Sequence, residues 1–263
     1  AEAVGAMGRA RAVIIVGDSK QMPPTRFGGG GGDEDLYVED DEVASVEDAE
    51  SLLLEAVDSG MDRVWLSWHY RSQDESLIAF SNRHYYEGRL SSFPSPRSLS
   101  GSALTWHNVG GQFEHGKRRV NEAEADAVVR EVLARLNDPD RIEQSIGVVT
   151  LNSQQQAEVV NRLEASGDDV VLEQLERDGS DDLFVRNLEN VQGHERDVII
   201  FSTGFSRTKD GKPMPLNFGP LNRAGGERRL NVAVTRAKKG MVIFSSFEPE
   251  EIDLNRAKAV GLL

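Results

Sequence analysis

The chain has 263 residues, of which 38% are hydrophobic, so it is long enough to bury a core and fold as a globular unit. Its formal net charge of -14 argues against a general polyanion-binding surface, because nucleic-acid affinity rests mostly on Lys and Arg contacts to phosphates. The absence of Cys excludes disulfides and cysteine zinc sites, and the five His show no ligand spacing, so no metal site is predicted.

The negative charge is concentrated near the start of the chain. No Lys or Arg occurs between Arg26 and Arg63, while Asp and Glu accumulate there. The glycine and acid content of residues 28–46 predicts a disordered linker, which leaves the remainder free to carry a basic groove. No apolar segment approaches membrane-spanning length and no signal peptide is recognisable, so a cytoplasmic protein without a membrane partner is predicted.

The first predicted element is a β-branched run at residues 12–16, closed by Gly17 and Asp18, which indicates a buried parallel strand. A helix is predicted over residues 47–59 and a strand over residues 63–68. Further strands are predicted over residues 103–106, 145–150, 197–203 and 241–245, and further helices over residues 74–87, 121–136, 153–163 and 227–237. This alternation predicts an α/β fold with a parallel sheet covered by helices on both faces.

Four segments carry a family resemblance: VGDSKQMPP at residues 16–24, WHYRS at 68–72, VQGHERD at 191–197 and RRLNVAVTRA at 228–237. In this order they resemble motifs of superfamily 1 helicases, in the branch that includes the RNA-surveillance helicases and a bacterial subgroup often fused to a nuclease-like domain. The resemblance implies a RecA-like P-loop NTPase fold. It also implies that residues 1–27 end a first RecA-like domain and that residues 47–263 form the second motor domain.

The same resemblance implies roles at an ATP site. Arg71 and Arg236 are similar to the arginine fingers that stabilise charge on the transferred phosphoryl group, a task that suits the planar guanidinium. Gln21 is similar to the sensor glutamine at the terminal phosphate, and Asp18 is expected to fix its loop. The alternative for either arginine is a structural ion pair with a carboxylate at a sheet edge.

Three more residues resemble parts of the nucleotide site. Tyr70 matches an aromatic residue that stacks against adenine, although a tyrosine at the rim of the core explains the sequence nearly as well. Gly193 and Glu195 match a motif in which the glycine lets the backbone approach the nucleotide and the glutamate lies near the ribose and the terminal phosphate. The alternative is a glycine turn followed by a solvated glutamate.

The chain also lacks what a complete motor needs. It contains no G-x-x-x-x-G-K-[ST] loop and no acidic pair after an apolar strand, so it lacks the groups that hold the ATP phosphates and Mg²⁺. ATP and Mg²⁺ are therefore the implied cofactors, held mainly by an N-terminal RecA-like domain outside this sequence. The chain is expected to be the C-terminal motor domain of a longer helicase and to be inactive alone.

Single-stranded nucleic acid, DNA in preference to RNA, is the implied partner. Small polar side chains at strand ends suit a motor that grips phosphates without reading bases. The resemblance implies that role for Thr150, Asn152, Asn187 and Asn231, although such residues are more often caps or turn residues. Two rival hypotheses stay open: a binding module that does not hydrolyse ATP, and a clamp in a nuclease complex of the recombination-repair type.

Overall fold

The computed structural model describes residues 2–23, 51–95, 103–114, 116, 118–177, 179–207, 214 and 216–252. It divides into two compact units, Ala1–Trp65 and Leu66–Leu263. The division falls after the domain boundary predicted at residue 47, and the predicted linker at 28–46 lies outside the described residues. The first unit contains helices α1 (Glu2–Met7) and α2 (Leu52–Asp58), the second of which is shorter than predicted.

The strand predicted over residues 12–16 is wrong. The segment pairs with no other strand among the described residues. Its side chains alternate between half-buried and exposed, with Ile14 90% and Val16 74% exposed. A strand needs a neighbour for its backbone N–H and C=O groups, which local sequence cannot supply. The strand predicted over residues 63–68 is reduced to β1 (Trp68–His69), which pairs in parallel with β2 (Ser91–Ser92) in the second unit.

The main sheet of the second unit has five parallel strands. In spatial order they are β3 (Leu104–Asn108), β7 (Ala237–Ser246), β6 (Arg196–Ser206), β4 (Ile146–Thr150) and β5 (Phe184–Asn187). Four of them confirm predicted strands, and β6 and β7 run longer than predicted. The sequence analysis missed β5, a short edge strand whose few apolar residues are interrupted by Arg186.

Five helices accompany this sheet: α3 (Ser76–Tyr85), α4 (Glu122–Leu136), α5 (Ser153–Ala165), α6 (Asp169–Glu176) and α7 (Gly226–Val234). Helices α4 and α5 each follow an extended residue whose side chain caps the first turn of the helix. Asn121 Oδ1 accepts the Glu124 N–H at 3.2 Å, and Asn152 Oδ1 accepts the Gln155 N–H at 2.7 Å. No helix in the described ranges is long and apolar enough to cross a membrane.

The core lies on both faces of the sheet. Helices α4, α5 and α6 pack on one face, against a cluster that includes Val148, Val198 and Ile200. The alternate residues of the same strands, among them Val149 and Ile199, are buried as well but lie outside that cluster. Strands buried on both faces are typical of parallel sheets with βαβ crossovers, so the predicted α/β fold class is confirmed.

Candidate functional site

The register of β6 and β7 brings two of the predicted motifs together. Arg196 pairs with Ala237, and the Arg196 N–H donates to the Arg236 carbonyl at 3.2 Å. Glu195 and Arg236 immediately precede these strands, so they lie side by side where the parallel strands begin. We call this side of the sheet the amino edge, and the side where the strands end the carboxyl edge. This pairing joins segments that are distant in sequence.

The segment after Tyr70 docks on the same edge. The Gln73 N–H donates to the Lys238 carbonyl at 2.7 Å, and Ser72 Oγ donates to the Ala237 carbonyl at 3.3 Å. Arg71 Nη1 reaches the Thr235 carbonyl at 3.4 Å. The structure therefore brings both predicted arginines, Arg71 and Arg236, to one place, which we call the arginine cluster.

Glu195 joins the cluster through two ion pairs. Its Oε2 lies 2.6 Å from Arg71 Nε, and its Oε1 lies 3.2 Å from Lys238 Nζ. The hydrogen bond from Arg71, supported by Lys238, holds the pKa of Glu195 below its ordinary value despite partial burial. Arg71 thus forms an ion pair with a carboxylate, as the structural alternative predicted, but that carboxylate is itself a predicted site residue. The sequence analysis missed Lys238, two residues beyond Arg236.

Arg236 lies inside the domain, with 3% of its surface exposed. Its Nε donates to the Val232 carbonyl at 2.7 Å and its Nη2 donates to Thr235 Oγ1 at 3.1 Å, so the guanidinium caps the last turn of α7. Burial, followed by the charges of Arg71 and Arg236, lowers the pKa of His69. Both arginines therefore act on one half-buried imidazole, so positive charge is concentrated at the amino edge.

The other residues predicted for the nucleotide site are Tyr70, Gly193 and Gln21. Tyr70 is 73% exposed. Gly193 has φ of +84°, and no atom lies within 4 Å of the position of an added Cβ, so backbone conformation rather than space requires glycine there. In the first unit, Gln21 Nε2 donates to Asp18 Oδ2 at 2.9 Å, and the Lys20 N–H donates to Asp18 Oδ1 at 2.9 Å. Asp18 fixes this loop as expected.

Three of the four predicted nucleic-acid residues, Thr150, Asn152 and Asn187, lie at the opposite edge of the sheet. Thr150 and Asn187 are register partners at the carboxyl ends of β4 and β5, and both are buried. Thr150 Oγ1 donates to the Asn152 carbonyl at 2.9 Å, and Asn187 Oδ1 accepts the Glu189 N–H at 3.0 Å. These side chains therefore shape turns in the structure. They lie about 20 Å from the arginine cluster, the span of six residues of β6.

Asn231 is not brought to that edge. It lies in the interior, in the last turn of α7, and its Nδ2 donates to Tyr86 Oη at 2.9 Å. The structure thus gives Asn231 a packing contact between α7 and the end of α3.

A buried carboxylate behind the carboxyl edge was missed by the sequence analysis. Glu124 is fully buried, and its Oε2 accepts the Gly204 N–H at 2.6 Å and Ser202 Oγ at 2.9 Å. Gly204, at φ of +72°, lies where the pairing of β6 and β7 shifts between Ser202 and Ser206. Burial raises the pKa of Glu124 to about 7. Because Ser202 is the register partner of Thr150, the carboxyl of Glu124 braces the edge that carries Thr150.

Comparison with known proteins decides the family. A family described as an AAA domain matches residues 49–248, which is most of the chain. The chain belongs to this family. It is a superfamily 1 helicase RecA-like domain related to the RNA-surveillance helicases, as the motifs implied.

Three relatives illustrate the range of the family. An uncharacterized ATP-dependent helicase of Mycoplasma genitalium is 32% identical over 96% of this chain and 22% of its own length. An ATP-dependent helicase of Saccharomyces cerevisiae is 27% identical, over 90% of this chain and 23% of its own length. Regulator of nonsense transcripts 1 of Dictyostelium discoideum is 25% identical, over 90% and 17%. The chain thus spans about a fifth of the length of these relatives.

Proposed function

We propose that this chain is the second motor domain of an ATP-dependent superfamily 1 helicase. In this proposal Arg71 and Arg236 stabilise charge on the transferred phosphoryl group. The observation that supports it is the meeting of Arg71, Glu195 and Arg236, from three distant segments, at one edge of the sheet. Nucleic acid is bound at the opposite edge by Thr150, Asn152 and Asn187, with DNA preferred to RNA.

The residues present fit part of an ATP site. Tyr70 offers an exposed ring for a base, Arg71 and Arg236 offer guanidinium groups for phosphate oxygens, and Glu195 with Gly193 borders the same edge. Gln21 is proposed to act as the phosphate sensor. In this proposal these side chains stack on the base, orient the nucleotide and compensate the charge of its phosphates.

Mg²⁺ does not fit the described residues, which contain no group of three or more His, Asp or Glu side chains able to hold a metal. The sequence also has no phosphate loop. In the proposed helicase both functions belong to another RecA-like domain.

A second candidate is a module that binds nucleic acid or a partner without hydrolysis. The observation that favours it is the burial of Arg236, whose guanidinium is engaged by its own helix. As a finger, this side chain would exchange its bond to the Val232 carbonyl for phosphate oxygens on nucleotide binding. Both candidates can be separated by hydrolysis measurements in a protein that supplies the phosphate loop.

The isolated 263-residue chain is expected to show no motor-like ATP hydrolysis, because it has neither the phosphate loop nor the magnesium ligands. The measurement is phosphate release with and without single-stranded DNA and RNA. Nucleic-acid-stimulated turnover by this chain alone would contradict the proposed division of the ATP site between two domains.

The proposed nucleic-acid edge is tested by the double variant Thr150→Ala/Asn187→Ala in the longer protein. Contacts at this edge go to phosphate and sugar, so affinity should fall by a similar factor for unrelated oligonucleotides, while ATP affinity without nucleic acid is unchanged. Anisotropy titrations with two DNA and two RNA sequences measure this.

The matched control is Thr105→Ala/Asn137→Ala, which removes the same residue types from an exposed part of β3 and from the end of α4. It should leave affinity unchanged. Wild-type affinity in the Thr150/Asn187 variant would remove these residues from the binding site.

A further inference from the structure

Three exposed aromatic rings lie together beside the arginine cluster, with Phe93 in contact with the other two. The side chains of Trp68, Tyr70 and Phe93 are 51%, 73% and 61% exposed. The ring of Phe93 stacks on Trp68 with centroids 5.1 Å apart and meets Tyr70 at 6.2 Å. Contiguous exposed apolar surface of this kind often marks a site where a ligand binds.

The backbone explains how Phe93 comes to lie between the other two rings. Strands β1 and β2 pair Trp68 with Ser91 and His69 with Ser92, so the next positions in the same register are Tyr70 and Phe93. Residues 68 and 70 point to one side of the extended chain because they are two apart. The pairing of β1 and β2 therefore brings these three rings into one aromatic surface.

We infer that Phe93 is a positioning residue for a purine base, holding the Tyr70 ring as the stacking face for the base of the nucleotide. The inference rests on the proposed function, in which Tyr70 stacks against adenine. A ring that is 73% exposed has several orientations open to it, and ordering it on binding is unfavourable. Contact with Phe93, itself held by Trp68, orders the Tyr70 ring before the base arrives.

The location favours the base of a nucleotide over a base of the nucleic-acid strand. Arg71 follows Tyr70 directly and binds Glu195, so an aromatic face and a positively charged edge adjoin within two residues. A nucleoside triphosphate has this composition, with a flat base at one end and anionic oxygens at the other. The proposed nucleic-acid edge at Thr150 is about 20 Å away along the sheet.

The test is Phe93→Ala in the longer protein, with steady-state hydrolysis of ATP and CTP. We expect the KM for ATP to rise about three- to tenfold, the size of an aromatic contact, with kcat unchanged, because stacking is equal in the ground and transition states. The smaller pyrimidine should lose less, so the preference for ATP over CTP narrows. Phe93→Tyr, which keeps the ring, should restore the wild-type KM.

The control is Phe80→Ala, an exposed phenylalanine on α3 whose ring contacts only His84 and Tyr85 among the described aromatic residues. It should leave both KM values unchanged. A fall in kcat with unchanged KM, an equal rise for ATP and CTP, or a loss confined to single-strand affinity would each overturn the inference.

Tyr70→Ala separates this inference from the proposed function. If Tyr70→Ala raises the KM for ATP and Phe93→Ala does not, only the positioning role of Phe93 fails. If neither variant changes the KM, the adenine contact of Tyr70 fails as well.

Discussion

Replacing Arg236 with alanine is expected to lower ATP hydrolysis by about a thousandfold in the longer protein that supplies the phosphate loop, the scale of a lost arginine finger. Nucleotide affinity should change little, because the guanidinium acts mainly on charge that develops in the transition state. Single-turnover hydrolysis and nucleotide titrations on the same preparation measure the two effects. Arg71→Ala should behave similarly and also weaken ATP affinity.

Burial of Arg236 requires a structural control, because its side chain caps α7 through the Val232 carbonyl. Arg236→Lys keeps the charge but loses the planar fork, so hydrolysis should stay low. The melting temperatures of Arg236→Ala and Arg236→Lys measure how much stability each variant loses with the helix cap. Arg177→Ala, at an exposed arginine that pairs with Glu173 on α6, should hydrolyse ATP normally. Wild-type turnover in Arg236→Ala would make this arginine purely structural.

The stability of the chain is expected to fall as the pH rises from about 4.5 to about 7, through the carboxyl of Glu124. Its pKa is raised from 4.5 to about 7 in the folded state by burial. Within this window the folded state keeps a proton that the unfolded state has lost, so each step in pH favours unfolding. At about 1.4 kcal/mol per pKa unit, the loss approaches about 3 kcal/mol and levels off above the folded pKa.

Glu124→Gln removes the titrating group, so the decline in stability over this window should be smaller than in the wild type by that amount. Urea unfolding at several pH values from 4 to 8 measures the free energy of unfolding of both proteins, and their difference cancels contributions from other groups. Glu164→Gln, at an exposed position of α5, should keep the wild-type slope. Identical slopes in the wild type and Glu124→Gln would contradict the assignment.

The elements that could be predicted were those with complete local signals. Helix α4 has a capping asparagine and a long apolar face, and β4 is a continuous apolar run, so both were found to within a residue. Helix α6 and strand β5 are too short for a periodic pattern to stand out. Residues 12–16 have the composition of a buried strand but are not buried in this chain, because burial depends on neighbours rather than on composition.

The candidate site, like the fold, could be predicted only in part from the sequence. The motifs around Arg71, Glu195 and Arg236 identified residue types suited to phosphate chemistry, and the structure brings these three together. Their contacts could not be predicted from sequence. The Arg71–Glu195 ion pair joins residues far apart in the chain, and Lys238 belongs to the cluster only because β6 and β7 are adjacent.

The sequence by itself determined the alternation of strands and helices and the motifs that define the family, because each depends on neighbouring residues. Tertiary structure alone decided the register of the parallel strands. That register places Glu195 beside Arg236 at the amino edge and Thr150 beside Asn187 at the carboxyl edge. It also decided that Arg236 and Glu124 are buried. Parallel pairing joins segments separated by whole helices, so its energy comes from contacts that no local pattern encodes.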